Sequence, residues 1–91
     1  MLNQIVLVGR IKQVEDRCVV VSVPRNSKNE NGEYDNDLIP VLIGEQLIGN
    51  VKEYCGEGDI IGVKGKIESL DGNIKIRAEK ISFLTTKNKS E

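Results

Sequence analysis

Apolar residues follow strand spacing almost everywhere in this chain and helical spacing in one place only, residues 44–55. There Leu47, Ile48, Val51, Tyr54 and Cys55 fall at intervals of one, four, seven and eight, which is one stripe of a short amphipathic helix, and Gly56 and Gly58 end it. Before that segment come three β-rich runs, 4–12, 18–23 and 37–43. After it come two more, 59–70 and 73–84, with Asp71-Gly72 between them as a hairpin turn. Three strands, one helix and two strands leave few ways to close a small core.

The punctuation refines that order. Gly9 interrupts the first run where a strongly curved strand needs a small residue or a bulge. Glu15-Asp16-Arg17 is a polar turn, and Pro24 stops the second run. Residues 25–36 are polar throughout, the longest irregular stretch, with Asn31-Gly32 marking a tight turn at the tip of a protruding hairpin. Such a stretch is either functional or a bare insert. Pro40 places the third strand at an edge or a bulge, because proline donates nothing to a ladder. In the last hairpin Ile61, Val63, Gly65 and Ile67 alternate with Gly62, Lys64, Lys66 and Glu68, and Ile74, Ile76 and Ala78 alternate with Lys75, Arg77 and Glu79. The apolar phase then slips, so that Ile81 and Phe83 resume it after a bulge near Glu79-Lys80. The expectation is an all-β, five-stranded OB (oligonucleotide/oligosaccharide-binding) Greek-key barrel over residues 1–84, with one short α-helix between strands 3 and 4, and a short polar C-terminal tail, 85–91. An SH3-like barrel has no helix at that point, and a ferredoxin-like fold needs two.

Composition limits what such a barrel can do. Ninety-one residues suffice for one domain. There is no His, so the commonest general base and metal ligand are missing, and no phosphate loop, nucleophile elbow or paired carboxylates take their place. The chain is therefore read as no enzyme, with no catalytic residue, no metal and no cofactor. Cys18 and Cys55 make no CxxC and are expected as two reduced, half-buried thiols. The N-terminus has no basic leader region and no run is long enough to span a bilayer, which points to the cytoplasm and away from membranes. A formal charge of −1 argues against a generic polycation, so any polyanion site depends on how the cations are distributed.

That distribution singles out the last hairpin. Lys64 and Lys66 on one strand and Lys75 and Arg77 on the next share the outward parity and are candidates for a ladder of phosphate contacts, diluted by Glu68 and Glu79. Outward strand positions are also charged in soluble proteins that bind nothing, and lysines guard strand edges. Arg10 and Lys12 on the first strand, and Arg25 and Lys28 at the base of the long loop, come next. Tyr34 either stacks on a base or folds back on the barrel; Tyr54 and Phe83 are in phase with the core.

At family level, Ile5-Val6-Leu7-Val8-Gly9-Arg10-Ile11, Gly32-Glu33, Asp37-Leu38-Ile39-Pro40-Val41 and the segment from Gly58 through Val63-Lys64-Gly65-Lys66-Ile67 resemble, in order and spacing, the bacterial single-stranded-DNA-binding family. The resemblance implies an OB barrel that forms dimers or tetramers and carries single strands over its outer surface and long hairpins. Where the family places stacking aromatics, this sequence has Leu38, Ile43-Gly44 and Leu70, which predicts weakened binding. The family's acidic, partner-binding tail has no counterpart in Lys87-Asn88-Lys89-Ser90-Glu91, so recruitment of replication proteins by that route is not expected; the tail-less form resembles the primosomal replication relatives. The resulting expectation is non-enzymatic binding of single-stranded DNA, or RNA, with little sequence preference in replication, recombination or repair. The rival is an adaptor or oligomerisation module whose nucleic-acid binding is weak or vestigial.

Overall fold

Alternation decides which side chains go inside. The computed structural model describes residues 1–85 and contains β1 (Ile5–Val14), β2 (Cys18–Lys28), β3 (Tyr34–Leu42), α1 (Glu45–Tyr54), β4 (Ile60–Leu70) and β5 (Asn73–Phe83). Ile11, Val19, Val21, Val41, Ile61, Val63, Ala78 and Ile81, all at inward strand positions, are buried. The helix lays Ile48 and Val51 on this core, and Ile43 and Cys55, just outside its two ends, are buried with them. Each fully buried Val or Ile contributes about 1.5–3 kcal/mol relative to an exposed one, so this cluster is the main source of stability.

The strands close in the order β1-β2-β3-β5-β4. β1 pairs with β4 through Ile5–Arg10 and with β2 from Arg10 onwards, and a short parallel contact, Val41↔Ile76 and Leu42↔Arg77, shuts the barrel. Tight coiling needs room: a Cβ on Gly65 would fall on the Arg77 carbonyl, and one on Gly9 would lie 2.5 Å from the Ser22 carbonyl oxygen. The β4–β5 turn holds Asp71 and Gly72 at φ 53° and 81°, the left-handed pair that a two-residue hairpin turn demands. These features form the OB barrel with its helix between β3 and β4.

Several boundaries differ from the sequence expectation. β1 runs to Val14, with Lys12 as an extra residue between the pairs Ile11↔Val21 and Gln13↔Val20. β2 continues through Pro24 to Lys28 and β3 begins at Tyr34, so the irregular stretch shrinks from 25–36 to the tip, 29–33. Both arms of that hairpin face water, so they carry no apolar alternation to read. Pro24 is tolerated because β1 has already left β2 at Ser22, so only the β3 side is paired. Pro40 lies where β3 has β2 on one side and no β5 partner on the other, the edge position it predicts. The slip near Glu79-Lys80 is a bulge: Gly65 pairs with Ala78, Lys64 with Lys80, and Glu79 is the extra residue. Cys18 is half-buried as expected, Cys55 is fully buried rather than half-buried, and neither is in a disulfide. Of the tail 85–91 only Thr85 is among the described residues; its Oγ1 accepts from the Ile60 amide at 2.8 Å.

Candidate nucleic-acid interface

The outward face of the β4–β5 hairpin is a ladder of three charged rungs, Lys64/Lys80, Lys66/Arg77 and Glu68/Lys75, two residues or about 6.8 Å apart along β4, while on β5 the bulge makes the step from Arg77 to Lys80 three residues. The hairpin thus brings Lys64, Lys66, Lys75 and Arg77 together on one face. Glu68 occupies two of them: Arg77 Nε donates to its Oε1 at 2.9 Å, and Lys66 Nζ lies 3.6 Å from its Oε2. The Arg77 hydrogen bond, with the charges of Arg77 and Lys66, holds the Glu68 carboxyl below the usual carboxylate range. Lys64, Lys75 and Lys80 take part in no ion pair among the described residues.

Lys80 is the cation that the alternation Lys75, Arg77, Glu79 conceals. The bulge, itself readable from the phase slip, makes Glu79 the extra residue and turns Lys80 outward. Beside it a shallow depression of about 290 Å³ is lined by Val6, Val8, Gly62, Lys64, Ser82 and Leu84.

The remaining candidates are dispersed. Arg10 donates through Nη1 to the Gly58 carbonyl at 2.9 Å and so ties β1 to the turn entering β4. Lys12 is exposed on the β1 bulge. Arg25 gives both Nε and Nη2 to Asp37 Oδ1, at 3.1 and 2.9 Å, and that bond raises its pKa. Lys28 holds its ammonium 5.8 Å from the centre of the Tyr34 ring. Tyr34 is 54% exposed on the outer arm of the hairpin, which removes the alternative of a ring folded onto the barrel. Around these two cations the hairpin carries Glu30, Glu33, Asp35 and Asp37, so residues 25–37 are net acidic.

Of the positions at which the resemblance places aromatics, Leu38 is 57% exposed on the outer face of β3 and Leu70 is 42% exposed at the β4–β5 tip. Ile43 is a core residue and offers no surface for a base. Tyr54 and Phe83 pack ring to ring, 5.8 Å between centroids. Burial and the nearby Glu15 push the Cys18 thiol up, away from nucleophilic character. No group of three or more His, Cys, Asp or Glu side chains able to hold a metal occurs among the described residues.

No protein-family profile matches the sequence. It is, however, 34% identical to Single-stranded DNA-binding protein 1 of Clostridium acetobutylicum, across 98% of this chain and 99% of the relative. The chain belongs to the single-stranded-DNA-binding protein family. Single-stranded DNA-binding protein 2 of Staphylococcus aureus strain Mu50 is another member of this family, 33% identical over 97% of this chain and 76% of its own length. Two solved structures share the family barrel. The Plasmodium falciparum SSB in complex with single-stranded DNA superposes with a TM-score of 0.74 at 14% identity, covering 93% of this chain and 96% of that one. The dimeric N-terminal domain of PriB from Thermoanaerobacter tencongensis gives 0.70 at 19% identity, covering 91% and 97%.

Proposed function

We propose that this chain binds single-stranded DNA, without chemical transformation and with little sequence preference, in DNA replication, recombination or repair. The observation that carries this reading is the near end-to-end match to a relative that bears that name, on a barrel whose β4–β5 face gathers cations. Cations on alternate positions of one hairpin meet phosphates whatever the base, and the exposed aliphatic side chains of Leu38 and Leu70 give bases a weaker surface than aromatic rings do. Affinity is accordingly moderate.

Assembly into a dimer or tetramer fits the same reading. Residues 5–9 of β1 hold ladder partners in β4 on one side and none in β2 on the other among the described residues, and Val6 and Val8 are exposed there. A second copy fits such an edge. Among the described residues no helix is long and apolar enough to cross a membrane, and the proposed site of action is the cytoplasm, where replication proteins are the accompanying partners.

Fluorescence anisotropy of a labelled poly-dT oligonucleotide at low and moderate salt, with an equal-length duplex as control, tests the proposal. Salt-sensitive binding that favours the single strand is the expected result. No binding at low salt overturns it and leaves the adaptor role.

A further inference from the structure

We infer that Asn3 is a positioning residue for strand binding: its side-chain amide clamps the β4–β5 hairpin at Ile67 and so holds the charged side chains of that hairpin in place. This inference rests on the single-strand reading above and deepens it by naming what fixes the binding face. The β1–β4 ladder ends at Ile5↔Gly65, and β1 begins only at Ile5. Continued by two residues, that antiparallel register sets position 3 opposite Ile67. There the Asn3 side chain takes up the pairing. Its Nδ2 donates to the Ile67 carbonyl at 2.6 Å, and its Oδ1 accepts from the Ile67 amide at 3.0 Å. These are the two bonds that a strand residue exchanges with a hydrogen-bonded antiparallel partner. A carboxylate has no donor and an ammonium no acceptor, so a side-chain amide is matched to the site.

Past this clamp the hairpin leaves the barrel. The rungs Glu68↔Lys75, Ser69↔Ile74 and Leu70↔Asn73 have no partner in β1 or β3 among the described residues. A lone two-stranded ribbon is marginally stable, so its direction depends on the last rung the barrel holds. That rung is Ile67↔Ile76, gripped on the β5 side by the parallel pair Val41↔Ile76 and on the β4 side by Asn3. Lys66 and Glu68 flank Ile67, and Lys75 and Arg77 flank Ile76, so one rung aims all four charged side chains. Met1 and Leu2 are exposed, so apolar packing of the chain end does not replace the clamp. Nor does the clamp compete with assembly: Asn3 bonds to the β4 flank, whereas the second copy is placed on the opposite flank of residues 5–9.

The test compares the full chain with Asn3→Ala, which removes both bonds and no charge, by poly-dT anisotropy at low and moderate salt and by amide hydrogen exchange. Asn3→Ala should bind about fivefold more weakly at both salts, the factor of one net hydrogen bond, because binding must then re-order the hairpin. The slope of log affinity against log salt should stay at the wild-type value, since every cation remains, whereas Lys75→Ala should lower it by about 0.7. The Ile67 amide should exchange at least about fivefold faster in Asn3→Ala, with the Val21 and Val63 amides protected as in wild type. Asn3→Gln, which keeps donor and acceptor, should recover part of both losses. Equal affinity in wild type and Asn3→Ala overturns the positioning role while leaving single-strand binding in place. Equal loss of protection at Ile67, Val21 and Val63 also overturns it, because the barrel as a whole is then weakened. A wild-type chain that binds no poly-dT at low salt overturns the underlying reading as well.

Discussion

Glu68→Gln should strengthen nucleic-acid binding. In the folded protein one carboxylate engages two cations, Arg77 at 2.9 Å and Lys66 at 3.6 Å, on the face proposed to meet phosphates. Glutamine keeps the shape and removes the charge, so the face gains one net positive charge and frees a cation for one more phosphate. With a single-strand contribution of about 0.7 per contact, the gain is about eightfold at 50 mM salt and about threefold at 200 mM. The slope should steepen by about 0.7. Thermal stability should barely change, because exposed ion pairs contribute little. The same carboxylate sets a pH dependence. Its folded-state pKa is depressed, so its contribution to stability is present above the ordinary carboxylate range and is lost as pH falls through the depressed value. As it protonates, Lys66 and Arg77 are released, so wild-type affinity should approach that of Glu68→Gln at acid pH. Anisotropy of poly-dT with both proteins, at two salt concentrations and across that pH range, measures all of this. Equal or weaker binding by a folded Glu68→Gln would refute the placement of phosphates on the β4–β5 face.

Leu38→Trp puts an indole at an exposed β3 position and should tighten binding by about 1–3 kcal/mol if a base stacks there, with quenching of fluorescence in a chain that otherwise has no Trp. Gly65→Ala drives a Cβ into the Arg77 carbonyl where β4 and β5 meet, and should cost about 1–3 kcal/mol, lowering the melting temperature by roughly 4–8 °C per kcal/mol in thermal denaturation. Val21→Ala removes a wholly buried side chain and should cost about 2 kcal/mol in urea titration with no change in slope. The Cys18 thiol should react with a disulfide reagent more slowly at neutral pH than a free cysteine, and denaturant should abolish the difference.

The barrel was legible because its core is written in alternation. Val19, Val21, Ile61 and Val63 are both the apolar members of their runs and the buried ones, and the one stretch of helical spacing became α1. The bulge was legible for the same reason, since Ile81 and Phe83 resume out of phase. The arms of the β2–β3 hairpin were not, because they are solvated on both faces and no period distinguishes them from a loop. Within the candidate site, parity placed Lys64, Lys66, Lys75 and Arg77 on one face, but it could not reveal which cations carboxylates had claimed. Arg25 goes to Asp37 twelve residues away, and Arg77 to Glu68 nine residues away, through side-chain geometry that spacing does not encode.

The most direct measurement is a two-dimensional amide NMR titration of the isotope-labelled chain with a short dT oligonucleotide at low salt. The account predicts shifts concentrated at Lys64, Lys66, Lys75, Arg77 and Lys80 on the β4–β5 face, with the tip residues Glu30 and Glu33 unmoved. Shifts confined to the β2–β3 hairpin would contradict the assigned face. A spectrum unchanged at saturating oligonucleotide would contradict single-strand binding itself.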